Sequence, residues 1–545
     1  MRRIELTDAG FLLAEKRETP MHVGGVNLFT LPSGVNEKDF LNDILEVLRN
    51  ASAYRKPFGE FVKTAPLGLY WEKDDNLDLD YHIRHSALPK PGRYRELFIL
   101  ASRLHSVLLD RNRPLWEMHL IEGLQNRQFA VYNKMHHAAI DGVGAMHITR
   151  GMCSTSPKGR INHSPLSLEA YEQYKKDKYG DKPRTIQPKE RELRNVLEAI
   201  KQQYDSSVNL AGAMRRFGGA FFGRSGNLAV PWHNVPKTSI NTRVSGARRF
   251  VAQSWEFDRV RAVCKAIDGT LNDVVLAMCA GALRKYLTVR DELPKHSLKA
   301  MAPVSLREEG DLDSANAVGF ITADLATNIA DPEKRIRAIQ ESMRAGKDLL
   351  AGMSSREAAL FMQLTQLPAI LTSVLGLAAT FPAFSTVISN VPGPREQLFW
   401  NGARLDGIYP ASIVFDGFAM NITLVSYNKS LDFGIVACRR SLPQIQRIID
   451  YLEDALQELE VVAGLRRAPV KKKLAAGKRK RAPAASKKTA AKKKTSAKSA
   501  AKRKAKTPAK EAAGKRKPAS KKTATPKRKQ AAAKRPKAKA KTKAR

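Results

Sequence analysis

The spacing of apolar and polar positions divides the first 155 residues into short strands and amphipathic helices. His22-Val23-Gly24-Gly25-Val26-Asn27-Leu28-Phe29 alternates as a strand does. Residues 37–51 carry Phe40, Ile44 and Leu48 at helical spacing, and residues 97–110 repeat the pattern with Leu97, Leu100, Leu104 and Leu108. Residues 116–121 and 128–135 read as paired strands on either side of a turn at 122–126. Residues 156–245 are polar and rich in Lys, Glu and Gln, with helical spacing over 190–207, and read as a connector crossing the surface. From Arg248 the mixed pattern returns. Strands are expected at 251–257, 298–304, 387–391, 420–427 and 431–437, and helices at 271–286, 332–345 and 442–459. The expected organisation is therefore an α/β fold of two halves, 1–160 and 246–465, joined by 161–245. A site is expected in the cleft between the halves.

Charge changes this picture only at the C-terminus. The chain of 545 residues carries a formal net charge of +41, but residues 466–545 hold 35 of its 94 Lys+Arg and a single acid, Glu511. The rest is mildly basic and ordinary. The Lys-, Ala- and Pro-rich tail has no aromatic residue, cannot bury enough apolar surface to offset its ordering, and is expected to be disordered. Such an arm suits polyanions, either nucleic acid or an anionic lipid surface, and a merely solubilising tail is the plainer alternative.

Four cysteines, Cys153, Cys264, Cys279 and Cys438, show neither a disulfide framework nor metal-ligand spacing, which points to a reducing cytoplasm. Met1-Arg2-Arg3 is followed by Glu5 and Asp8 in place of an apolar run, so no signal peptide is expected. Residues 367–388 carry no charge and are long enough to span a bilayer, but Pro368 and Pro382 interrupt them. A buried helix followed by a strand at 385–389 is the expected reading.

The candidate chemistry lies at Met135-His136-His137-Ala138-Ala139-Ile140-Asp141-Gly142, where a strand runs into a turn. Histidine titrates near neutrality, so it can take a proton from an alcohol and return it within one turnover. A buried strand with two hydrogen-bonded histidines is the plainer reading of an HH pair. The Asp and Gly at their offsets favour HHxxxDG, the pattern of a histidine-based acyl transfer site. Other segments accompany it along the chain: Leu6-Thr7-Asp8-Ala9, Glu18-Thr19-Pro20-Met21-His22-Val23-Gly24-Gly25, Pro114-Leu115-Trp116, Leu271-Asn272-Asp273-Val274-Val275, Pro303-Val304-Ser305-Leu306-Arg307, Ser389-Asn390-Val391-Pro392-Gly393-Pro394 and Asn421. With these the chain resembles the bacterial wax ester synthase/diacylglycerol acyltransferase family over roughly residues 4–462. The cationic tail departs from that pattern.

The resemblance implies two chloramphenicol-acetyltransferase-like halves around a central tunnel. It implies transfer of a fatty acyl group from acyl-coenzyme A to diacylglycerol or a long-chain alcohol, with acyl-coenzyme A as a substrate and no separate cofactor or metal. His137 would be the general base. His136 would pack and fix the loop, and Gly142 would allow a tight turn. Asp141 would serve either as a structural partner of an arginine such as Arg307 or as a triad acid orienting His137. Asn272 either caps a helix or faces the tunnel to stabilise an oxyanion. An acyl-enzyme on Cys153 lacks any activating neighbour in sequence. A cytoplasmic location, peripheral at the inner membrane or a lipid inclusion, follows from lipid substrates. Two alternatives remain. One is a condensation-type enzyme, which would need a carrier domain not found here. The other is a granule- or nucleoid-associated scaffold whose basic tail binds DNA.

Overall fold

The computed structural model describes residues 1–66, 68–140, 142–179, 208–224, 226–305, 318–350 and 355–467. The expected helix at 190–207, Asp141, Arg307 and the basic tail from residue 468 lie outside them.

Strands β1 (Arg2–Arg3), β3 (Glu60–Ala65) and β4 (Gly68–Lys73) form a small antiparallel sheet in the order β1-β4-β3. The first large sheet has six strands: β2 (His22–Thr30), β5 (Ile83–Ala87), β6 (Trp116–Glu122), β7 (Gln128–His136), β12 (Phe399–Trp400) and β13 (Ala403–Ala411), in the order β12-β13-β2-β7-β6-β5. The second also has six: β8 (Arg248–Glu256), β9 (Lys299–Ser305), β10 (Val318–Asp324), β11 (Thr386–Pro392), β14 (Met420–Tyr427) and β15 (Ser430–Cys438), in the order β10-β9-β11-β14-β15-β8.

Helices α1 (Leu6–Ala14), α2 (Glu37–Arg49), α3 (Leu79–His82), α4 (Tyr94–Leu104), α5 (Gly142–Gly151) and α6 (Leu168–Tyr179) lie in the first part of the chain. They are followed by α7 (Val208–Phe221), α8 (Phe257–Ala266), α9 (Leu271–Val289), α10 (Pro332–Leu350), α11 (Ser355–Val374) and α12 (Arg447–Val462). Local signals account for many of them. Asn36 caps α2 by accepting from the Lys38 and Asp39 N–H groups. The buried stripe of α2 is Leu41, Ile44 and Leu48, one step round from the expected Phe40. Helix α9 is buried nearly all round from Asp273 to Leu283, as a core helix must be, and packs on α10 and α12.

Strand β13 belongs to the second half by sequence but pairs antiparallel with β2 in the first sheet, Ala411 opposite Gly24. It is the seam of the molecule. The Gly24-Gly25 pair sits between β7 and β13, and a Cβ on Gly24 would overlap the Asn133 carbonyl. On its other side β13 meets β15: a Cβ on Gly434 would overlap the Pro410 carbonyl. The Ile408 N–H donates to buried Asp432 Oδ2 at 2.8 Å. An apolar cluster of Val26, Leu28, Tyr132, Phe250, Ala411 and Val436 fills the space between the sheets. Buried Arg248 completes the seam, donating to the Glu18 carbonyl at 2.8 Å and the Val414 carbonyl at 3.1 Å.

The segment 367–388 differs from expectation. Helix α11 ends at Val374, and Leu371, Leu375, Leu377 and Phe381 are exposed rather than buried. Absence of charge marks the segment as apolar but does not say whether anything covers it. Among the described residues no single helix is long and apolar enough to cross a membrane.

Candidate active site

His136 is the last residue of β7 and His137 the first of the following turn. Their backbones are pinned from opposite sides. The His136 N–H donates to the Leu115 carbonyl and the His137 N–H to the Met21 carbonyl, each at 2.9 Å. The Pro114-Leu115-Trp116 and Thr19-Pro20-Met21 segments thus supply the two acceptors that hold the histidine pair. The next strand residue, His22, is fully buried and donates from Nε2 to the His105 carbonyl at 2.9 Å. Burial holds its pKa well below the usual histidine value. His105 is held down to about 3 by the same cause, so both are neutral core histidines.

His136 is fully buried. Its Nδ1 accepts from the Ala138 N–H at 3.1 Å, so Nε2 carries the proton and faces Glu15 Oε1 at 3.5 Å. Glu15 is the hub of this corner. Its Oε1 accepts from the Met21 N–H at 3.0 Å, and its Oε2 accepts from Arg111 Nη2 at 3.0 Å. Burial pushes the Glu15 carboxyl up, but His136, Met21 and Arg111 outweigh it and hold the pKa below the ordinary value.

The His137 ring is half-buried and stacks on Phe11 of α1, with centroids 4.3 Å apart and an 11° angle between planes. A ring face there fixes the imidazole orientation and keeps water from one side.

Gly142 begins α5 and has no left-handed φ, so the expected turn requirement is replaced by a close approach. A Cβ there would stand 3.3 Å from Val391 Cγ2 on β11. The residue brings the first-half motif against the Ser389-Asn390-Val391 segment of the second half. The cap of α9 is made by Thr270 and Asp273, whose carboxylate accepts from the Thr270 N–H at 2.8 Å. Asn272 is therefore not the cap: it is exposed, and its Oδ1 accepts from Asn390 Nδ2 at 3.0 Å. Contacts thus lead from the histidine turn through Gly142, Val391 and Asn390 to Asn272. Asn421, by contrast, is buried on β14, where it accepts from the Thr423 hydroxyl at 2.8 Å.

Beside Asn272 opens a cavity of about 550 Å³, lined by Phe257, Asp258, Arg261, Cys264, Leu271, Arg395 and Asn428. Burial pushes the Cys153 thiol above the usual pKa, which disfavours the nucleophilic thiolate. Among the described residues no group of three or more His, Cys, Asp and Glu is placed to hold a metal ion. Phe11 and Glu15 were not found from sequence. They fall between two motif segments, and apart from Met21 their partners His137, His136 and Arg111 lie 96 or more residues away along the chain.

The descriptions of two family models match this chain: the wax ester synthase/diacylglycerol acyltransferase catalytic domain over residues 4–275, and the WS/DGAT C-terminal domain over 314–460. A putative diacylglycerol O-acyltransferase of Mycobacterium tuberculosis is 44% identical over 463 residues, 84% of this chain and 99% of that one. The O-acyltransferase WSD of Acinetobacter baylyi is 40% identical, covering 85% and 98%. Among solved structures, the wax ester synthase/diacylglycerol acyltransferase from Marinobacter aquaeolei is 39% identical, with a TM-score of 0.68 over 85% of this chain and all of that one. The first condensation domain of the CDA synthetase shares the fold, with a TM-score of 0.52 at 13% identity. The chain belongs to the wax ester synthase/diacylglycerol acyltransferase family and is an acyltransferase built of two halves.

Proposed function

We propose that the protein transfers a fatty acyl group from acyl-coenzyme A to the hydroxyl of diacylglycerol or a long-chain alcohol, with His137 as general base. The observation that carries this reading is the His137 ring, half-buried and stacked on Phe11 beside the junction of the two halves at Gly142 and Val391. His137 takes the hydroxyl proton as the oxygen attacks the thioester carbonyl. The tetrahedral species collapses, the carbon–sulfur bond breaks, and the proton passes to the departing thiolate. Ester and free coenzyme A result, with no residue acylated. Base assistance of this kind contributes about 10²–10⁴-fold. His136 acts by holding the turn, and Asn272 with Asn390 lies on the donor side.

The cavity beside Asn272 presents the guanidinium groups of Arg261 and Arg395, which suit the phosphates of coenzyme A. The acceptors are lipids, so the working location in this reading is cytoplasmic and peripheral on a membrane or lipid inclusion. The basic tail is a separate polyanion-binding arm.

The test is an assay of purified protein with palmitoyl-coenzyme A and each acceptor, following thiol release and lipid product. Thiol release that depends on acceptor, with triacylglycerol or wax ester formed, supports the reading. Thiol release that ignores both acceptors contradicts it. In the same assay Arg395→Ala should raise KM for the donor; an unchanged donor KM would remove the phosphates from that cavity.

A further inference from the structure

Residues 358–394 contain no charged side chain, yet the structure leaves the middle of this run open to solvent. Leu371 is 51% exposed, Leu375 68% and Phe381 58%, with Val374 and Leu377 beside them in sequence. A second apolar pair, Phe221 and Phe222 at the end of α7, belongs to the same region. Phe217 of α7 packs edge-on against Phe361 of α11 at 5.7 Å. Gly223 lies against His233, and the Trp232 N–H donates to the Ala383 carbonyl at 2.9 Å, two residues beyond Phe381. Exposed Arg215 and Arg224 flank the phenylalanine pair. Large apolar side chains with a basic rim, on elements that do not span a bilayer, have the make-up of a surface lying in the headgroup layer of an anionic leaflet.

Its position adds to this. Helix α1 packs against α11, and α1 carries Phe11, whose ring covers His137. Leu13, two residues on, is itself exposed. One short helix therefore joins the catalytic imidazole to the apolar surface.

We propose that the end of α11 with its following turn, the Phe221-Phe222 pair and Leu13 of α1 form the face on which the enzyme rests on an anionic phospholipid leaflet, and that the lipid acceptor reaches His137 from this side, past α1. The proposal rests on the reading of a lipid acceptor given above. An acceptor that partitions into the leaflet then meets the base without crossing water.

The experiment uses the full chain and the variant Leu375→Ser/Phe381→Ser, both at exposed positions, with vesicles of phosphatidylcholine and phosphatidylglycerol. Binding is measured by flotation at low salt and at 1 M NaCl. At 1 M the Debye length is about 3 Å, so attraction through the basic tail is screened while apolar contact persists. The double variant should bind at least about tenfold more weakly at 1 M salt. Its turnover of diacylglycerol presented in the vesicles should fall in parallel. Its turnover of a water-soluble short-chain alcohol with the same donor should match the unaltered protein. Equal vesicle binding by both proteins at 1 M salt would overturn the proposal, as would a loss of self-association without any change on vesicles. Failure of the acyl transfer reading would be seen separately, as absent turnover of the soluble alcohol by the unaltered protein.

Discussion

Replacing Glu15 by Gln perturbs the corner that holds the histidine turn while leaving the side chain its size. Three neighbours bring donors to the carboxylate: the Met21 N–H at 3.0 Å, Arg111 through Nε at 3.2 Å and Nη2 at 3.0 Å, and His136 Nε2 at 3.5 Å. A glutamine offers one acceptor oxygen and sets its NH₂ against a donor, so at least one buried N–H loses its partner. Such a group costs about 1–3 kcal/mol, and breaking a fully buried ion pair about 3–5 kcal/mol. Arg111 is 43% exposed and can turn to water. The cost of the unpartnered N–H therefore applies, about 1–3 kcal/mol at pH 8. The sign with pH follows from the depressed pKa of Glu15. Its contribution is complete above the unfolded carboxylate value and is lost as pH falls through the folded one, so the gap between the two proteins should narrow in acid. Urea unfolding at several pH values measures it. Because His136 and Met21 carry the backbone of His137, kcat should also fall about tenfold with KM little changed. A Glu15→Gln variant within about 0.5 kcal/mol of the parent at pH 8 and with full turnover would refute the reasoning.

At Gly142 a single methyl would stand 3.3 Å from Val391 Cγ2, so Gly142→Val should lower turnover strongly, and Val391→Ala in the same chain should restore part of it. An additive double variant would detach the two sites. Buried Asp432 is pushed up to about 6 by burial, against the N–H and hydroxyl groups of Ile408, Ser254 and Ser430. It therefore adds stability that is complete below the ordinary carboxylate value and is lost as pH rises through about 6, and Asp432→Asn should flatten the melting temperature between about pH 4 and 6. An unaltered slope would contradict this. Deleting residues 468–545 should leave turnover of soluble substrates intact, since the family models end at 460, and should abolish salt-sensitive DNA binding. Abolished turnover would make the tail part of the catalytic machinery.

The elements legible in the sequence were those with near-continuous apolar runs, such as α9, β7 and β14, whose burial is nearly complete along their length. Strand β13 was not legible, because its partner β2 lies almost four hundred residues away and nothing local encodes that pairing. The motif segments were visible, but the reasons for them were not. Met21 and Leu115 act through backbone carbonyls, which leave no mark on residue type. Gly142 read as a turn because a glycine needed for close approach looks the same in sequence. The uncharged stretch before β11 read as buried because composition reports apolarity and not cover.

The central claim is that His137 moves the proton. The most direct measurement compares the parent and His137→Ala in thiol release from palmitoyl-coenzyme A with diacylglycerol and with a long-chain alcohol. Unfolding curves for both proteins establish that each is folded. The ring of His137 is half-buried and its N–H bond to Met21 belongs to the backbone, so the substitution leaves the turn anchored. Acyl transfer to both acceptors should fall by about 10²-fold or more in a folded protein. Near-parental transfer to either acceptor by folded His137→Ala would contradict the account.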